Sequence, residues 1–183
     1  MDARFLMMTT RDIEEVASSE REALLRFTDL RPDQLVNVRL ERESFPRINF
    51  AHWDGAILCG SAYDVSMPED QKSARQKEVE RGLTKLIKDA LDTGFPVFGI
   101  CYGLGSAARY LGGHVGPEIS EDISAPVLSV TAEGRADPIL EGVPEGFRAY
   151  VGHHESVVVA PDAMVPLVTG EIAPLQMARV GPN

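Results

Sequence analysis

The sequence predicts an α/β fold built on an open, mostly parallel sheet with helices on both faces. Short continuous apolar runs at 5–8, 56–59 and 97–100 have the composition of parallel strands covered on both sides. Stretches with apolar residues at 3.6-residue spacing lie between these runs. A chain of 183 residues suffices for one hydrophobic core, so a single domain over 1–183 is expected. Strands alternating with helices at this length imply right-handed crossovers.

Each element has its own local signal. After the first run, Val16, Ala17, Leu24 and Phe27 form a helical stripe that begins near Ile13, with Thr10 or Asp12 placed to cap its start. The second run ends at Cys59 and leads into Gly60-Ser61. Beyond it, Val79, Leu83, Leu86, Ile87, Ala90 and Leu91 line one helix face, opposite Glu80, Arg81, Lys85, Lys88 and Asp89. Gly94, just before Pro96, ends that helix. After Gly112-Gly113, shorter β-like runs at 126–131, 147–151, 156–159 and 175–180 predict antiparallel or mixed strands with few helices.

Composition narrows the function. Twenty-eight acidic residues against 18 basic ones give a net charge of -10, and no Lys/Arg cluster makes a phosphate-tracking face, so nucleic acid is not an expected partner. No apolar stretch approaches the ~18 residues of a membrane span, and residues 1–10 carry no small-residue cleavage site. No membrane association and a cytoplasmic location are therefore expected. In that setting Cys59 and Cys101 read as free thiols. Two cysteines and four histidines at scattered spacing do not form a zinc site.

The most informative segment is 96–113, PVFGICYGLGSAARYLGG, a strand, a sharp turn and a helix over 102–111. Gly99 and Gly103 flank Cys101 at minus two and plus two, the spacing of a nucleophile elbow. Small neighbours there let the chain turn tightly enough to hold the middle side chain in a strained, exposed pose. The N-terminus of the following helix lies beside the sulfur and favours the thiolate, the reactive form.

With its L-G-G ending, this G-I-C-Y-G segment resembles the nucleophile motif of the class I, triad-type glutamine amidotransferases, and the resemblance covers nearly the whole chain. W-D-G-A-I-L-C-G-S at 53–61 is similar to the family's strand and oxyanion loop. A-D-P-I-L-E-G-V-P at 136–144 and G-H-H-E-S-V at 152–157 are similar to its later segments. P-L-Q-M-A-R-V-G-P-N at 174–183 is similar to the stretch that leads into the family's catalytic F-H-P-E.

The resemblance implies a flavodoxin-like fold and an enzyme that hydrolyses the glutamine side-chain amide through a thioester on Cys101. The backbone N–H groups of Gly60 and Tyr102 would form the oxyanion hole. Ser61, His154 and Glu155 would contact substrate, with 152–157 in a loop beside it. The implied partners are glutamine and a synthase domain or subunit that accepts the ammonia, with a second copy of the chain in a homodimer. No cofactor and no metal are implied.

The catalytic His and Glu of the family would follow Asn183, so the domain is expected to be C-terminally incomplete and inactive as the 183-residue chain. His153 beside His154 is a weaker substitute base, and both histidines also read as capping a loop. Gly105 stands where the family has Gln, and Gly60-Ser61 where it has Gly-Gly. Two other functions therefore remain open: a related cysteine hydrolase of γ-glutamyl compounds, and a non-catalytic regulatory module.

Overall fold

A computed structural model describes residues 3–182. The chain separates into two units, the first ending at Ala107 and the second beginning at Ala108. The first contains β1 (Phe5–Thr10), α1 (Glu14–Thr28), β2 (Leu35–Arg39), β3 (Gly55–Ser61), α2 (Ala74–Thr93) and β4 (Val97–Gly99); α3 (Tyr102–Tyr110) crosses the division. Its sheet has the order β2-β1-β3-β4, every pair parallel. The three runs read as strands are β1, β3 and β4.

Strand order dictates where the helices go. The chain steps from β1 to β2 in one direction and from β3 to β4 in the other, so right-handed crossovers put α1 and α2 on opposite faces. On one face Met7, Leu35, Ile57 and Cys59 pack with Leu24 and Leu25 of α1. In α2, Val79, Leu83, Leu86, Ile87 and Ala90 are buried, the stripe expected from spacing. Each such Val, Leu or Ile contributes about 1.5–3 kcal/mol by leaving water. Ser73 accepts the Gln76 N–H at the start of α2, and Gly94 closes its end in the left-handed region with φ 69°.

The first helix departs from expectation in two ways. Its N-cap is Ile13, which makes no side-chain capping bond, so neither Thr10 nor Asp12 caps it. The Thr10 hydroxyl is held elsewhere, by Ser61. The predicted stripe also overreaches: Ala17 is buried and Leu24 packs inward, but Val16 is 42% and Phe27 80% exposed. Leu25 takes the inward position instead. The β2 strand escaped the sequence reading because its charged and polar flanks hide a short half-buried run.

The second unit contains β5 (His114–Gly116), β6 (Glu121–Ser124), β7 (Val127–Val130), α4 (Ala132–Ala136), β8 (Gly146–Arg148), β9 (Val151–His153), β10 (Ser156–Val159), β11 (Met164–Thr169) and β12 (Met177–Val180). The strands pair antiparallel throughout, as β12-β11-β7-β8, β10-β5 and β6-β9. Leu128, Leu167 and Val168 form its core with Phe147 and Met177 around them. Thr131 caps α4 by accepting the Gly134 N–H, and its hydroxyl donates to the Pro166 carbonyl at 2.8 Å. The strand β5 follows directly on Gly112-Gly113, and β6 and β11 lie outside the runs read from sequence.

Candidate active site

Strand order also predicts where ligands bind. The sheet reverses its winding between β1 and β3, and such a switch point opens a crevice beyond the carboxyl ends of the strands. At those ends lie Thr10-Arg11, Gly60-Ser61 and Cys101. The register between β1 and β3 is regular from Phe5↔Gly55 to Met8↔Leu58, then steps, so that Thr10 pairs with Ser61. Two residues of β1 therefore span three of β3, a bulge at Cys59-Gly60 that re-aims the strand end.

Cys101 occupies the turn between β4 and α3 with φ 51°, the left-handed region that a non-glycine residue enters at a cost. The Ile100 N–H donates to the Leu58 carbonyl at 2.8 Å, and the Gly103 N–H returns to the Ile100 carbonyl at 2.9 Å. The two flanking glycines are sterically required. A Cβ on Gly99 would lie 2.8 Å from the Gly103 carbonyl carbon, and one on Gly103 would lie 2.8 Å from the Leu58 carbonyl oxygen. Cys101 itself is exposed, whereas Cys59 is buried, and both are free thiols.

Gly60 adjoins the elbow, since a Cβ built on it would lie 3.8 Å from the Cys101 Cβ. Tyr102 is buried at the first turn of α3, and its hydroxyl reaches Glu80 Oε1 at 3.5 Å. Glu80 also accepts Gln76 Nε2 at 2.9 Å and Lys72 Nζ at 2.7 Å. The Lys72 side chain is 0% exposed and pairs with Glu69 as well, at 2.8 Å. A buried ammonium is tolerated only when paired in this way. Gln76 Nε2 donates further to the Asp64 carbonyl at 3.0 Å, tying the loop after β3 to α2 beneath the elbow helix.

Ser61 Oγ accepts the Thr10 hydroxyl at 2.6 Å and the Tyr63 N–H at 2.8 Å. That oxygen thus braces two strand ends and the loop. Burial, followed by the negative charge of Glu20, pushes the Cys59 thiol above its ordinary range, so it stays protonated and inert at neutral pH. Sequence reasoning missed Arg11 and Glu20 beside this cluster; position at a strand's carboxyl end was the one signal for Arg11.

The structure gathers Cys101, Gly60, Ser61, Tyr102, Gly99 and Gly103 in the first unit. His154 and Glu155 belong to the second, in the bend between β9 and β10, where His154 is exposed. His153 ends β9. Its Nε2 pairs with Glu121 Oε2 at 2.9 Å and its Nδ1 with Ser156 Oγ at 3.1 Å. Gln176 Nε2 donates to the same Glu121 oxygen at 2.6 Å. Glu121, 32 residues from His153, carried no sequence signal.

Residues 47–173, more than two thirds of the chain, match the family profile described as Glutamine amidotransferase class-I. The chain belongs to the class I glutamine amidotransferases. Among curated relatives, the glutamine-hydrolysing GMP synthase of Aliivibrio salmonicida is 31% identical over 121 residues, covering 66% of this chain and 20% of the relative. That of Thermomicrobium roseum is 33% identical over 90 residues, covering 49% and 16%. The chain thus spans about a fifth of the length of the curated relatives it matches.

Solved glutamine amidotransferase structures carry the same fold. A glutamine amidotransferase from Thermotoga maritima superposes with a TM-score of 0.78 at 17% identity, covering 99% of this chain and 73% of that one. One from Methylobacillus flagellatus gives 0.71 at 16% identity, covering 98% and 66%. The predicted architecture, a parallel sheet flanked by helices, is therefore the architecture of the class I amidotransferases.

Proposed function

We propose that this chain is the ammonia-producing module of a glutamine-dependent synthase, with Cys101 as nucleophile. The observation that carries the reading is Cys101 at φ 51°, exposed at a strand-to-helix turn that both flanking glycines are needed to form. The Cys101 thiolate attacks the glutamine carboxamide carbon. The tetrahedral intermediate collapses with cleavage of the C–N bond, and the departing nitrogen takes a proton to leave as ammonia. Water then attacks the thioester, releasing glutamate and restoring the thiol.

Each tetrahedral intermediate carries a negative oxygen. The N–H groups of Gly60 and Tyr102 receive it, each donor being worth about 3–4 kcal/mol of barrier when aimed at the oxyanion. Gly60 is supported in this role by its distance from Cys101, and Tyr102 by its place directly after the nucleophile at a helix N-terminus. Ser61 contacts glutamine through its backbone, because its hydroxyl oxygen already holds Thr10 and Tyr63. The relatives named as GMP synthases support a synthase as the acceptor of ammonia.

The proton transfers fall to the His-Glu pair of the family's F-H-P-E segment. The test is glutamate release from glutamine by the 183-residue chain and by a form extended through F-H-P-E, with Cys101→Ala in each as background. The extended form should be faster by about 10²- to 10⁴-fold, the usual worth of general acid-base help. Equal, Cys101-dependent rates would move the base to His153 or His154.

A second reading is favoured by Gly105, which is buried in α3 where the family has Gln. It makes the substrate another γ-glutamyl compound. Comparing hydrolysis of glutamine with that of γ-glutamyl amides by the extended form separates the two.

A further inference from the structure

We infer that Arg11 is a charged member of the nucleophile site, its guanidinium placed beside Cys101 to favour the thiolate. This rests on Cys101 being the nucleophile. A Cβ built on Gly60 would lie 2.6 Å from Arg11 Nη2 and 3.8 Å from the Cys101 Cβ. Both groups therefore border the space that Gly60 leaves empty, and they can be no farther apart than those two distances together. A side chain at position 60 would force Arg11 Nη2 to shift. The small residue thus serves the approach of a cation as well as the turn of the strand.

The hydrogen bonding of Arg11 is incomplete in a way that suits this role. Its Nε is buried with no partner among the described residues. Its one ion pair among the described residues is long, Nη2 to Glu20 Oε1 at 3.4 Å, and the side chain is 27% exposed. The other Glu20 oxygen accepts the Thr9 hydroxyl at 3.2 Å, which draws the carboxylate toward β1. A fully neutralised structural arginine would have shorter bonds and a satisfied Nε. Here the positive charge is only partly answered, and the unanswered part borders the elbow.

Arg11 follows β1, Glu20 and Glu15 lie on α1 along the cleft that Arg11 also lines, and Cys59 lies on β3. Tyr102 stands on α3 with Glu80 of α2 behind it, the latter paired with Lys72. A cation within about 4–6 Å lowers the pKa of an acid by roughly 1–3. The bound set by Gly60 lies at the outer edge of that reach, and Arg11 and Cys101 both meet solvent, so the lower end of that range applies.

The arrangement makes two residues act on one sulfur in opposite senses, which mere loss of folding cannot mimic. The experiment measures iodoacetamide alkylation of Cys101 against pH by mass spectrometry, in a Cys59→Ala background, with circular dichroism to confirm folding. Arg11→Gln should move the midpoint of the rate profile up by about one pH value and slow alkylation at neutral pH severalfold. Glu20→Gln should move it down, and Arg11→Lys should stay close to the parent. Unchanged midpoints in Arg11→Gln and Glu20→Gln, or shifts of the same sign in both, would overturn the assignment. Glutamine-mimicking electrophiles separate it from the functional reading: if they fail to label a form extended through F-H-P-E while the opposed shifts persist, the proposed function falls and the role of Arg11 stands.

Discussion

The Thr10 hydroxyl donates to Ser61 Oγ at 2.6 Å, joining the carboxyl ends of β1 and β3 at the point where the sheet reverses its winding. Ser61 Oγ also receives the Tyr63 N–H. Ser61→Ala therefore strands two donors at once. Leaving a partly buried donor without a partner costs about 1–3 kcal/mol. Urea unfolding of Ser61→Ala should show a loss of that size, and Thr10→Val a smaller one because the Tyr63 bond survives. Equal stabilities across parent and both variants would show that the bridge contributes nothing.

Cys101 and Cys59 should differ widely toward electrophiles. One is exposed at a helix N-terminus, and the other is buried with its thiol held protonated. Peptide mapping after a brief iodoacetamide pulse near pH 7.5 should find Cys101 modified at least about tenfold faster. Comparable labelling of the folded protein would contradict the assignment of the nucleophile.

Gly103→Ala should damage the elbow without touching the sulfur. Its new methyl would press on the Leu58 carbonyl oxygen at 2.8 Å and the Leu58 Cβ at 2.9 Å, both fixed in the middle of the sheet. Overpacking of this kind costs about 1–3 kcal/mol. Thermal unfolding should register the loss, and alkylation of Cys101 should slow as the turn opens. A variant as stable and as reactive as the parent would mean that the glycine is not sterically required.

In the second unit, the Arg179 guanidinium and then the Ile139 N–H hold the Asp137 carboxyl down at about 2, below its ordinary 3.8. The folded state thus binds this proton more weakly than the unfolded chain does. The pair stabilises the fold fully above about pH 4, and its contribution is lost as the pH falls from there toward about 2. Denaturation midpoints of Asp137→Asn should lie below those of the parent near pH 6, the gap closing toward pH 2. A gap independent of pH would remove the charge from the explanation.

The parts legible in the sequence are those fixed by near neighbours. Gly99, Cys101 and Gly103 sit within five residues, and their spacing alone requires the turn. The α2 stripe repeats over several turns and ends at a glycine, so local rules agree with the burial found. The α1 stripe misled because Val16 and Phe27 fit the period but no element covers them. Arg11 beside Gly60, and Glu121 beside His153, join residues distant in sequence, and no local pattern announces such contacts.

The bulge at Cys59-Gly60 sets the phase of the site. Side chains alternate across a sheet, so under strict alternation Ser61 would share the face of Cys59 and Ile57; the bulge brings it instead to that of its partner Thr10. A further one-residue insertion between Leu58 and Ser61 would therefore invert the strand end. It would carry the serine hydroxyl to the opposite face of the sheet and separate it from Thr10. The length of this short stretch is a parity condition, and segments between β2 and β3, which bear no such condition, are where gains and losses of residues can be absorbed.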